Sequence, residues 1–114
     1  MAATLRCTDS GLAVLPIRGH FDAHQVPLVQ EEFDALLTAG ARFIVLDLAG
    51  VTFVDSSALA IVVRGLRRCR ERNGELLLAG AGGRVQTIFV LTGMNKALRM
   101  FADADAACAA VGEQ

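Results

Sequence analysis

The residues of this 114-residue chain best placed to do chemistry are a carboxylate and two hydroxyls in a row, Asp55-Ser56-Ser57. They precede Leu59, Val62, Val63 and Leu66, whose i, i+3, i+4, i+7 spacing marks one face of a helix. The serines therefore stand where a loop becomes a helix. Two uses fit that place. Asp and Ser oxygens accept the orphan N–H groups of a first helical turn, which makes a cap. A serine hydroxyl at such a point can also carry a phosphate, of charge roughly −1.5 to −2, which free helix amides can hold. A third use, Ser56 as a nucleophile with His20 or His24 as base, finds no Gly-x-Ser-x-Gly and no oxyanion-hole motif around it.

Other reactive residue types are less well arranged. His20 and His24 are four apart with Asp22 between them, but converging on a metal would need a helix, and Gly19 after a strand pattern argues against one. No metal, cofactor or catalytic residue is expected. Gly80-Ala81-Gly82-Gly83 has Val85 where a dinucleotide fingerprint needs a small residue, and the chain holds no Gly-Lys-(Ser/Thr). A turn needing backbone freedom accounts for these glycines. Cys7, Cys69 and Cys108 are odd in number and contain no C-x-x-C. Cys69 and Cys108 fall on two expected helices, as buried small hydrophobes or as partners in a redox disulfide.

The elements that must position Asp55 to Ser57 can be read outward from them. Phe43-Ile44-Val45-Leu46 is apolar without alternation, as in a strand buried on both faces of an α/β sheet. Asp47 and Gly50 mark its end and a bend, before the short apolar piece Val51 to Val54. Upstream, Thr4–Thr8 and Leu12–Arg18 read as a hairpin around Asp9-Ser10-Gly11. Pro16 belongs at an edge or bulge, since it cannot donate to a ladder. A first helix spans Val26 to about Ala39, with Pro27 in its first turn and Val26, Val29, Phe33, Leu36 and Leu37 inward. The second runs from Ser56 to about Arg72 and stops at Asn73-Gly74. Glu75–Ala79 is a further buried strand. A third helix carries Val85, Ile88 and Phe89, then Ala97–Phe101 forms a short strand, and Asp103 caps a last helix, Ala104–Val111.

Composition sets the outer bounds. The chain is 54% hydrophobic and 20% charged, so one globular domain over residues 1–114 is expected. Its net charge of −1 gives no field toward nucleic acid or an anionic membrane. Arg64, Arg67, Arg68, Arg70 and Arg72 do crowd the end of the second helix. Without interleaved aromatics they read as dipole-compensating, solvated charges or as a partner-contact stripe. No apolar run reaches membrane-spanning length, and Met1–Arg6 lacks the basic-then-apolar order of a signal peptide, so a cytoplasmic protein is expected.

Val54-Asp55-Ser56-Ser57-Ala58-Leu59 after the apolar strand resembles the signature of STAS domains, above all the bacterial anti-sigma-factor antagonists. Gly19, Phe21 and Asp22 are similar to a second family motif, and the likeness runs from about Leu12 to Val111. Ala58 and Ala60 depart from it, standing where the family usually has glycine. The resemblance implies a single α/β STAS-type domain, with a mixed, mostly parallel sheet of four to five strands and helices packed against it. It implies a regulatory binding module and not an enzyme. Ser56 is the implied phosphorylation site, and Asp22, Asp55, Ser56, Ser57 and Leu59 the implied partner-binding surface. The implied partners are an anti-sigma factor with serine kinase activity and a serine phosphatase, with no nucleic acid and no membrane. The alternative within the family is an unphosphorylated scaffold or small-ligand sensor in a stress or transporter-associated complex. For Asp22, its residue type alone also allows a loop carboxylate that satisfies nearby amides.

Overall fold

The computed structural model describes residues 11–112. The order within them is β1 (Leu12–Phe21), α1 (Val26–Thr38), β2 (Phe43–Val54), α2 (Ser56–Arg70), β3 (Glu75–Ala79), α3 (Gly83–Leu91), a 3-10 turn (Met94–Lys96), β4 (Arg99–Phe101) and α4 (Ala104–Gly112). The strand expected over Thr4–Thr8 lies outside the described residues, as does Cys7.

The described strands form one sheet in the order β1-β2-β3-β4, with every pairing parallel. Parallel neighbours need crossovers, and α1, α2 and α3 supply them. Crossovers of one hand between successive neighbours fall on one side of a sheet. Accordingly Phe33, Val62 and Phe89 pack with Ile44, Leu46, Leu76 and Leu78. The intervening residues Val45, Leu77 and Ala79 point the other way, where Ala107 and Val111 of α4 cover them. Ile44, Val45 and Leu46 are all buried, the expected consequence of an apolar run covered on both faces.

β2 does not end at Asp47. It continues to Val54, and its register against β1 jumps twice, so β2 carries one extra residue between Val51 and Phe53, paired with Gly19 and His20, and one between Asp47 and Gly50, paired with Pro16 and Arg18. Pro16 sits at this irregularity, on the strand that forms one edge of the described sheet. Asp47 turns its carboxylate onto the Ala49 amide at 3.1 Å, which satisfies a donor that the bulge takes out of the ladder. The bulge lets one strand both fill the core and carry the chain on to the start of α2.

Two further corrections concern α2. Its buried residues are Ala58, Val62, Gly65, Leu66 and Cys69, while Val63 is 43% exposed and Leu59 only partly buried. The inward stripe is thus rotated from Leu59 and Val63 toward small residues, which allow close packing. Cys69 and Cys108 cannot meet, because Cys69 lies in the core under α1–α3 and Cys108 on the α4 side of the sheet. Burial, with Glu75 nearby, pushes the Cys69 thiol up to about 12.

The stop after α2 is as expected. Asn73 adopts φ 62° and Gly74 follows. A Cβ on Gly74 would lie 1.7 Å from the Arg42 carbonyl oxygen, which accepts the Glu75 amide, so only glycine passes there.

Candidate functional site

The C-terminal ends of β1 and β2 are neighbours, so the loops that follow them come together. Phe21 pairs with Val54 in the ladder, and the Asp55 amide donates to the Phe21 carbonyl at 3.2 Å. Asp22 and Asp55 therefore stand side by side at the end of the sheet, each opening the path into a helix.

Asp55 is the cap of α2. Its backbone is extended (φ −109°, ψ −179°), as a capping residue requires. Oδ1 accepts from the Ala58 amide at 3.0 Å and from the Ser57 hydroxyl at 2.6 Å. Oδ2 reaches across to the Ala23 amide at 3.1 Å. One carboxylate thus fixes the helix start, orients Ser57 and ties the two loops together. The hydrogen bond from Ser57, followed by that from Ala58, holds its carboxyl below its ordinary value.

Asp22 organises its own loop. Its Oδ1 accepts from the amides of His24 at 3.0 Å and Gln25 at 3.3 Å, and its carbonyl accepts from the amides of Gln25 and Val26. Gln25 Nε2 donates back to the carbonyls of Arg18 and His20, at 2.9 and 2.6 Å. The loop carboxylate satisfying nearby amides is what the geometry holds, and Asp22 stays partly exposed while doing so. His20 lies at the strand end with its ring 5.5 Å from that of Phe53, while His24 is on the loop beyond.

Ser56 differs from its neighbours. It is the first residue of α2, it is exposed, and among the described residues its hydroxyl makes no hydrogen bond. Ser57, in contrast, is half-buried and its hydroxyl is already engaged. Ala58 is fully buried, so its methyl points into the core and away from Ser56. Leu59 is half-buried and packs against the core with one side. Of the expected residues, Asp22, Asp55, Ser56 and Ser57 therefore gather at one end of the sheet, with Leu59 a turn further along.

Sequence reasoning missed Phe53, an aromatic side chain 47% exposed beside His20 at the same end. Its signal was present. Once β2 is continuous, alternation from the buried Val54 places Phe53 on the outer side.

Residues 5–107 match the STAS domain family, and the chain belongs to that family. It is 29% identical over 79 residues to an anti-sigma-B factor antagonist of Listeria monocytogenes, covering 69% of each chain. Its fold is that of the anti-sigma factor antagonist SpoIIAA in the unphosphorylated form, with TM-score 0.84 at 20% identity over 99% of this chain and 98% of that one. The phosphorylated form of the Bacillus protein SpoIIAA superposes with TM-score 0.74 at 20% identity, over 96% and 99% of the two chains. Among the described residues no helix is long and apolar enough to cross a membrane.

Proposed function

We propose that this protein is an anti-sigma factor antagonist whose unmodified form binds an anti-sigma factor that is also a serine kinase. Binding would free a sigma factor. Phosphorylation of Ser56 would end the complex, and a serine phosphatase would restore it. The chain acts here as a binding module and switch, and the kinase supplies the catalysis.

The observation that carries this reading is the contrast between two adjacent hydroxyls. Ser57 is held by the Asp55 carboxylate, whereas Ser56 is exposed and unengaged among the described residues. A kinase can reach the second without unfolding the cap. The Ser56 oxygen would attack the γ-phosphorus of ATP, its proton passing to the kinase and ADP leaving. The names of the sequence relatives support the partner class.

The electrostatic consequence is local. A phosphate at Ser56 adds roughly −1.5 to −2 charge beside two carboxylates, Asp22 and Asp55. A docked protein must then supply cations or bear the cost of desolvating a dianion. The helix start is fixed by Asp55, so repulsion acts on the partner and leaves the fold intact.

The test is incubation of the purified protein with ATP and each kinase-type anti-sigma factor of its source organism, followed by intact-mass measurement. The reading expects one added phosphate on the wild type and none on Ser56→Ala. Absence of any added phosphate overturns the switch and favours a fixed STAS scaffold. Phosphate that persists in Ser56→Ala moves the site elsewhere.

A further inference from the structure

The outer side of α2 carries the site beyond Ser56. Helical spacing aligns Ser56, Ala60, Val63, Arg67 and Arg70 along one line, and all five are exposed. Val63 leaves 43% of its surface in solvent and lines an open groove of about 420 Å³ with Leu66, Arg67, Arg70 and Glu71.

The arginines of this helix divide sharply. Arg68 pairs with Asp34 and lies over the Phe33 ring. Arg70 pairs with Glu75 at 2.9 Å and donates to the Ala97 carbonyl. Arg72, just past the helix, donates to the Leu37 carbonyl. These three serve the fold. Arg64 and Arg67 make no ion pair or side-chain hydrogen bond among the described residues. Arg64 also stands before the last turn, where compensation of the helix dipole no longer explains it. In a chain of net charge −1, two unengaged guanidiniums share the outer side of α2 with one exposed valine, Arg67 in the groove that Val63 lines and Arg64 a step further round the helix.

We propose that the surface contacting the anti-sigma factor runs from Ser56 along α2 to Arg64 and Arg67, and that the partner meets it with an apolar side chain at Val63 flanked by carboxylates. This rests on the function proposed above. The apolar contact and the two cations lie about two to three turns from Ser56, roughly 10–16 Å along the axis. The footprint therefore pairs a switchable end with a constant, basic end. The constant end speeds encounter and sets orientation, while Ser56 decides whether docking completes.

The experiment uses purified full-length protein and each purified kinase-type anti-sigma factor of the source organism. Affinity is measured by titration calorimetry at low and high salt. The variants are Ser56→Asp, Arg64→Glu/Arg67→Glu and Arg64→Lys/Arg67→Lys, each checked for native melting. The inference expects wild-type binding that weakens with salt. It expects a loss of about tenfold or more in the double Glu variant and near-wild-type affinity in the double Lys variant. Binding that is lost in Ser56→Asp but unchanged in the double Glu variant overturns the basic footprint and leaves the function standing. Equal loss in the Glu and Lys variants also overturns it, since charge would then not be what is read. No binding of any candidate to the wild type removes the function reading and the footprint together.

Discussion

Ala58 and Ala60 differ from the STAS pattern in the same way, yet the structure gives them opposite surroundings. Ala60 is exposed, whereas Ala58 is fully buried beneath the first turn of α2. Replacing each by glycine separates two costs. Ala60→Gly removes only helix preference, about 1 kcal/mol. Ala58→Gly loses a comparable backbone term, a buried methyl of about 0.8 kcal/mol, and about 0.5 kcal/mol for the small void it leaves. The expected totals are about 1 and about 2 kcal/mol. With a urea slope of about 1.5 kcal/mol/M, the unfolding midpoint falls by about 0.7 M for Ala60→Gly and about 1.3 M for Ala58→Gly. Unfolding followed by circular dichroism at unchanged slope reads both. Equal midpoints would refute the packing of Ala58 and the rotation of α2 that buries it. The same variants bear on the switch: only Ala60 lies on the side of Ser56, so only Ala60→Gly should change the rate of Ser56 phosphorylation.

Further outcomes follow from particular contacts. The Asp55 carboxyl is held below its ordinary value of 3.8, so its contribution is complete above that pH and is lost as pH falls through the folded value; the stability gap between wild type and Asp55→Asn is widest well above pH 3.8 and closes below it. Amide exchange at Ala23 and Ala58 should quicken in Asp55→Asn, since both amides lose a carboxylate acceptor. Gly74→Ala drives a methyl into the Arg42 carbonyl and should cost more than about 2 kcal/mol, or prevent folding, as read by the same urea titration. Cys69, with its thiol pushed up to about 12, should resist iodoacetamide in the native protein and react only on unfolding, as peptide mapping would report.

Much of the fold was legible where one pattern had one cause. The unbroken run Phe43–Leu46 requires cover on both faces, and α1–α3 and α4 provide it. Val29, Phe33, Leu36 and Leu37 form the buried side of α1, and Asp103 caps α4 through the Ala106 amide at 2.8 Å. Gly80, at φ 72°, takes the turn that its glycine-rich stretch implied. Three features were hidden. Asp47 and Gly50 look like a strand end because a bulge uses the same residue types, and only the pairing with β1 tells the two apart. The inward side of α2 was misjudged because hydropathy counts Val63 and overlooks Ala58, Gly65 and Cys69, whose value lies in fitting closely. The opposite placement of Cys69 and Cys108 depends on which side of the sheet each helix takes, which periodicity along a helix does not encode.

At the site, the cap was readable from Asp55-Ser56-Ser57, but the division of labour was not. The bond from Ser57 to Asp55 is local, yet the bond from Ala23 spans 32 residues of sequence and exists only once β1 and β2 are adjacent. That adjacency lets the Asp55 carboxylate join the two loops beside the unengaged Ser56 hydroxyl.

The most direct measurement compares Ser56-phosphorylated and unmodified protein in parallel, recording affinity for the purified anti-sigma kinase together with the thermal melt of the free domain. The account predicts tight binding by the unmodified form, binding weakened by at least about a hundredfold in the phosphorylated form, and melts that nearly coincide. Equal affinity, or loss of binding accompanied by unfolding of the domain, would contradict it.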